Sequence, residues 1–162
     1  MEKKNSENNL ALENILNLKP LFKHSTKGKV KFHEVDSYGI VHNLQYGYWL
    51  EWARTEYLGN LGIKLNPMTY VSELPVMVVH SEINYFNPIR FYEEYEILSR
   101  ISFIKNSSLG FENLIFSNNK LLIFAKIILV YLNIHSQQPE RIPDNVRKLI
   151  INFEGRDLNL ID

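Results

Sequence analysis

Asp36-Ser-Tyr-Gly39-Ile-Val-His42-Asn43-Leu-Gln-Tyr46-Gly-Tyr-Trp49-Leu-Glu51-Trp-Ala-Arg54-Thr-Glu-Tyr57-Leu58 joins a glycine-marked turn to an aromatic-rich helix. Asn43 falls where that helix is expected to begin, and asparagine is a residue type favoured at such starts. Asp36 is thereby placed near the positive end of a helix, where unpaired amides favour developing negative charge. A carbonyl held there would be polarised beside a potential base or nucleophile, an arrangement suited to acyl transfer. Asp also has an ordinary use in turns, where its carboxylate accepts backbone amides.

The helix is expected over about 43–60. Tyr46, Trp49, Leu50, Ala53 and Tyr57 recur at helical spacing and share one face, while Leu44, Tyr48, Trp52 and Leu58 lie outside that stripe. A helix apolar on most sides predicts one that is surrounded, as by a sheet wrapped around it. Working outward, residues 1–9 are polar and expected to fray, and Leu12, Ile15 and Leu16 predict a short amphipathic helix before Pro20. Alternation around Val30 and Phe32 predicts a first strand over 29–35 that delivers Asp36 to its turn. After a loop around Pro67, strands are expected at about 75–86, 93–105 and 108–117. The last is joined to 121–134 by a hairpin turn at Asn118 and Asn119, a residue type that tolerates positive φ.

In 121–134, Leu121, Ile123, Ile127 and Leu129 alternate with Leu122, Phe124, Ile128 and Val130, so both faces are apolar. Antiparallel strands usually wet one face, so a second cover is implied, most simply a partner subunit. Residues 144–153 read as a final short helix or tail.

A chain of 162 residues fits one domain with a real core. Eighteen basic against eighteen acidic side chains give net charge zero, which argues against binding nucleic acid by phosphate neutralisation. With no cysteine there is no disulfide, thiolate nucleophile or cysteine-held zinc, and a reducing cytoplasm fits. The amino terminus has no apolar run of signal-peptide length. The longest apolar stretch, 121–134, is short for a membrane span and contains Lys126 and Asn133. His33, Glu34, Asp36 and His42 match no metal-binding spacing. There is no Gly-x-Ser-x-Gly elbow and no phosphate-binding glycine loop, so neither metal nor cofactor is expected.

Glu34, Asp36, Gly39, Val41, Tyr46, Trp49, Glu51, Ala53 and Arg54 together resemble the signature of the hotdog-fold acyl-CoA thioesterases. The similarity is greatest to the branch typified by 4-hydroxybenzoyl-CoA thioesterase and the Tol-Pal-associated thioesterases. It continues through Tyr85, Asn87, Pro88 and Arg90 to Ser107 and Ser108, covering roughly 29–152. An amino-terminal extension with a short helix, 1–28, and a tail, 153–162, lie outside it.

The resemblance implies an α+β hotdog domain, an antiparallel sheet wrapped around a central helix, that assembles as a homodimer or homotetramer. It implies hydrolysis of acyl-CoA, with Asp36 as nucleophile or general base and the Asn43 amide as oxyanion donor. His42 would orient water, Tyr38, Gly39, Val41 and Tyr46 would bind substrate, and Arg90 would contact phosphate. The pair His42-Asn43 departs from the family, whose members carry His or Tyr at position 43, or two Asn. Chemistry at 43 therefore falls to the backbone rather than the side chain. Glu51 is a second helix carboxylate, but its spacing to Arg54 reads as an ion pair. The rival functions are cleavage of acyl carrier protein thioesters and non-catalytic binding of acyl-CoA.

Overall fold

The computed structural model describes residues 10–63 and 74–161. The expected frayed segment 1–9 and the loop around Pro67 lie outside the described residues. Helix α1 covers 10–16. It is followed by strand β1 (His24–Lys29), helix α2 (Asn43–Asn60), strands β2 (Val76–Tyr85), β3 (Glu94–Ile104), β4 (Ser108–Ser117) and β5 (Lys120–Tyr131), helix α3 (Asp144–Glu154) and the short strand β6 (Asn159–Leu160). The sheet runs β1-β3-β4-β5-β2 with antiparallel pairing throughout, and β6 adds to β3 in parallel.

One stripe of α2 accounts for the architecture. Tyr46, Trp49, Leu50, Ala53 and Tyr57 are all buried. They share one core with Ile97 and Ile101 of β3, Leu109, Phe111 and Ile115 of β4, and Ile123, Ile127 and Leu129 of β5. Full burial of one such side chain contributes about 1.5–3 kcal/mol. Leu58 joins the same core, but Leu44 and Tyr48 are each 67% exposed and Trp52 is 38% exposed. The surrounded helix inferred from composition is corrected accordingly: within one chain α2 is covered on the sheet side and open on the other.

The first strand is also corrected. It ends at Lys29, where the sequence pattern placed its start. Residues 24–29 pair with β3 from His24↔Ser99 to Lys29↔Glu94. Gly28 sits where a Cβ would lie 2.4 Å from the Tyr95 ring, so a larger residue could not cross there. Phe32–Glu34 then form a 3₁₀ turn, because the Glu34 carboxylate reaches back to the Lys31 amide at 2.7 Å.

The Asn118-Asn119 hairpin forms as expected, with both residues at positive φ. The strand after it ends at Tyr131 rather than at 134, and an irregularity between Ile115 and Phe116 changes the pairing near its start. Leu121 therefore joins Phe124 on the outer face, and Leu122 turns to the inner core with Ile123. The cover over this outer cluster is the chain itself: Leu12, Ile15, Leu18 and Phe22 pack on Leu98, Leu114, Phe116, Leu121 and Phe124. Beyond that cluster the outer face becomes charged. Cross-strand register aligns Arg100, Glu112, Lys126 and Glu82 across four strands, and Arg100 meets Glu112 at 2.7 Å.

The carboxy-terminal end of α3 is fastened to the core by Glu154, which is 2% exposed. One of its carboxylate oxygens accepts both the Tyr57 hydroxyl and the Ile101 amide, the latter at 2.8 Å beside a bulge in β3. Lys23 caps the same helix end by donating to the carbonyls of Phe153 and Glu154 at 2.9 and 2.8 Å.

Burial raises the Glu154 pKa above its ordinary 4.5, against the opposing hydrogen bonds from Tyr57 and Ile101. The folded state therefore holds this proton more tightly than the unfolded state. Its stabilising contribution is full below the unfolded pKa and is lost as pH rises through the folded one. Glu154→Gln keeps an oxygen for both donors and removes the buried charge. Denaturant titrations at several pH values should show the variant gaining stability relative to wild type as pH rises above about 4.5. A constant difference across that range would contradict the assignment.

Candidate active site

Two loops lie side by side at the end of the sheet where β1 stops and β2 ends. The Val30 amide donates to the Glu93 carbonyl (2.9 Å), the Val41 amide donates to the Ile89 carbonyl (3.0 Å), and Ile40 bridges to Arg90. Between Glu34 and His42 the chain makes a closed turn. The Val35↔Val41 bridge, the Asp36 amide to the Ile40 carbonyl (2.8 Å) and the Gly39 amide to the Asp36 carbonyl (3.0 Å) hold it. Gly39 has φ +71°, a left-handed conformation that explains the glycine there.

Asp36 sits on this turn, half-buried. Its Oδ1 accepts the Tyr38 amide at 2.8 Å, which orients the carboxylate from within the turn. Its other oxygen has no partner among the described residues and is free to meet a substrate or a water. The helix starts at Asn43 as expected, and its N-cap is the residue before it, His42, whose Nδ1 accepts the Leu44 amide at 3.2 Å. That bond places the imidazole proton on Nε2. The Gln45 amide is satisfied by the His42 carbonyl at 2.9 Å. The Asn43 amide, by contrast, has no acceptor among the described residues, leaving it as an open donor in the first turn.

Asp36, His42 and Asn43 line a cavity of about 410 Å³ together with the aromatic side chains of Tyr46, Tyr85 and Phe86. Val41 also contributes to the lining. The Tyr46 ring meets Trp49 edge-on at 5.2 Å and Tyr85 at 5.6 Å. Burial, with Tyr85 adding a smaller effect, pushes the Tyr46 hydroxyl up to about 12, so it remains protonated and acts as a wall or a donor. The structure thus brings Asp36, Val41, His42, Asn43 and Tyr46 together. Gly39 serves the turn. Tyr38 is 81% exposed and Arg90 is exposed with its amide bound to the Glu93 carboxylate (2.8 Å), both outside the cavity lining. Glu51 is exposed on α2 and does not line the cavity.

Tyr85 and Phe86 were not singled out by sequence as lining residues. Tyr85 was named only as part of the family resemblance, and the signal for Phe86 was its place at the end of a strand just before Asn87 and Pro88. A larger cleft of about 590 Å³ lies by the β4–β5 turn, lined in part by Lys19, Lys27, Phe116 and Ser117. None of the candidate catalytic or substrate-binding residues named from the sequence lines it.

The family model of the thioesterase-like superfamily matches residues 30–150. The chain belongs to this superfamily. It has the superfamily's hotdog fold and is an enzyme of the thioester-hydrolase class. Among its relatives, the chloroplastic acyl-acyl carrier protein thioesterase ATL3 of Arabidopsis thaliana is 26% identical over 136 residues, 83% of this chain and 70% of its own length. The acyl-CoA thioesterase YbgC of Haemophilus influenzae is 23% identical over 119 residues, 74% of this chain and 88% of its own. A thioesterase from Thermus thermophilus, solved in complex with coenzyme A and Zn, superposes with a TM-score of 0.73 at 26% identity, covering 83% of this chain and 96% of that one.

The cap assignment separates two neighbouring side chains. His42→Ala should cost about 0.5–2 kcal/mol in denaturant unfolding, the usual effect of losing an N-cap. Asn43→Ala, at the next position, should stay within about 0.5 kcal/mol of wild type. Equal losses in the two variants would put the cap at the wrong residue.

Proposed function

We propose that the chain hydrolyses acyl-CoA thioesters, with Asp36 attacking the carbonyl or activating water and the Asn43 amide receiving the developing oxyanion. The observation that carries this reading is that a carboxylate oxygen and a helix-start amide, both without a partner among the described residues, line one cavity with aromatic side chains. In the nucleophilic route, Asp36 Oδ2 bonds to the acyl carbon, the thiolate leaves, and water then cleaves the anhydride. In the general-base route, Asp36 takes a proton from the attacking water. Both routes raise negative charge on the carbonyl oxygen, where a preorganised donor contributes most. His42 Nε2–H supplies a further donor at the rim for ordering water.

We place the working form in the cytoplasm as a homodimer or homotetramer. No helix among the described residues is long and apolar enough to cross a membrane. The exposed Leu44, Tyr48 and Trp52 on α2, with Met77 and Val79 on the edge strand β2, offer an apolar surface for a second copy. The pantetheine arm would lie in a groove that the second copy completes, with Tyr38 and Arg90 reaching it from the loops.

A second reading, hydrolysis of acyl carrier protein thioesters, is favoured by the likeness to ATL3 and requires the same groups at the same cavity.

Purified protein should release free thiol from at least one acyl-CoA across short, medium, long and aromatic acyl groups, without added metal. Asp36→Asn should lower turnover at least about 10²-fold. Full turnover in that variant removes the mechanism, and activity confined to acyl carrier protein substrates selects the second reading.

Deleting the Asn43 amide is sterically feasible. Asn43 occupies the first helical position, where proline is tolerated, and His42 has φ −64° and ψ 138°, the extended conformation required before proline. Asn43→Pro should reduce kcat about 10²- to 10³-fold with circular dichroism unchanged, whereas Asn43→Ala should reduce it only slightly. A dead alanine variant that still folds would transfer the role to the side chain. Sedimentation should find no monomer at micromolar concentration, and a fully active monomer would exclude the shared groove.

A further inference from the structure

Glu34 is a buried carboxylate beside the site that the proposed reaction does not use. It is 6% exposed at the end of the 3₁₀ turn, two residues before Asp36. Its Oε1 accepts the Trp49 indole N–H at 2.8 Å, and its Oε2 accepts the Lys31 amide at 2.7 Å. Its backbone carbonyl accepts the His42 amide at 2.9 Å, which closes the base of the loop carrying Asp36. Trp49 is in turn stacked at 3.9 Å and 18° on Tyr95 of β3, whose ring fills the space that a Cβ on Gly28 of β1 would take.

We infer that Glu34 is a positioning residue, whose buried carboxylate and carbonyl fix the Asp36 turn against the first turns of α2 so that Asp36 and the Asn43 amide face one substrate carbonyl. The inference rests on the reading of those two groups proposed above.

The geometry goes beyond what capping a three-residue turn requires. The Lys31 bond and the His42 bond suffice to close the loop. The Trp49 bond lies further along α2 and fixes the helix's rotation and axial position relative to the loop. The helix start and the carboxylate sit on separate segments, joined covalently only through residues 37–42. Backbone bonds close that turn on itself, and the Trp49 bond adds a tie from the turn to the body of the helix. Glu34 supplies that tie with charge-assisted bonds, the stronger class of hydrogen bond. Misplacing reacting groups by about 1 Å can cost on the order of 10²-fold in rate, so such a tie acts on turnover.

Glu34→Gln keeps the volume but offers one acceptor to two donors, so its amide nitrogen must face either the Lys31 amide or the Trp49 indole. Trp49→Phe removes the indole donor, together with one ring of a buried side chain, and leaves Glu34 in place. Each variant should lower kcat by about 10- to 100-fold per folded molecule while KM stays within about twofold, because neither Glu34 nor Trp49 lines the cavity. The double variant restores a one-to-one match of acceptor and donor, and should be no slower than the slower single variant.

Amide NMR of the substrate-free protein reads the same tie without activity. Glu34→Gln should displace the Trp49 indole resonance and the backbone amides of residues 36–43. If Asp36→Asn proves fully active, the catalytic reading fails while these shifts still decide the tie. A Glu34→Gln protein that is only less stable, with kcat and the 36–43 amides unchanged, overturns the inference. So does a rise in KM at constant kcat. If Glu34→Gln does not fold, Trp49→Phe carries the test, and wild-type kcat in that variant overturns the inference.

Discussion

Burial of one stripe of α2 in the concave face of the sheet is the constraint from which the rest of the molecule follows. Tyr46, Trp49, Leu50, Ala53 and Tyr57 have to meet Ile97, Ile101, Phe111, Ile115 and Ile127, and that contact fixes where the amino-terminal end of the helix emerges. The emergent end opens beside the loops at 30–42 and 86–93. Its first-turn amide is consequently held at the cavity mouth by the hydrophobic core rather than by a flexible connection. The proposed catalytic geometry is thus a consequence of packing several residues further along the helix.

The buried polar groups divide the same labour. Glu34 connects the site loop to α2, Glu154 connects α3 to α2 and β3, and Ser99 of β3 meets Asn113 of β4 at 2.9 Å. Each pairs polar groups from separate elements, so loss of any one leaves a buried group unpaired, at a typical cost of about 1–3 kcal/mol. Ser117 Oγ is the buried side-chain atom without a partner among the described residues. The outer face uses a different device. Its apolar end is sheltered by the amino-terminal segment, and its middle is an alternating row of charges that deters indiscriminate sheet stacking.

Periodicity and turn chemistry reported local structure well where one physical rule acted alone. The hairpin at Asn118 and Asn119 and the helix beginning at Asn43 formed as read, because positive-φ tolerance and the 3.6-residue stripe are local properties. Alternation failed at 29–35, where the carboxylate of Glu34 bends the chain into a 3₁₀ turn and leaves Phe32 80% exposed. Face assignment failed at 121–122, where one irregularity in pairing reverses which side a residue takes. The cover for the outer face was assigned to another subunit, since spacing gives no means of telling that Leu12, Ile15, Leu18 and Phe22 fold back onto it.

By itself the sequence determined the α+β class, the central helix, and the placing of Asp36 in a glycine turn immediately before that helix. Each is written in adjacent residues and governed by short-range sterics or periodicity. Only the tertiary structure decided that Tyr85 and Phe86 line the same cavity as Asp36 and the start of α2. It also decided that Glu34 reaches Trp49, fifteen positions away. These are matters of distance between segments brought together by the burial of α2, and no local rule of the chain encodes them.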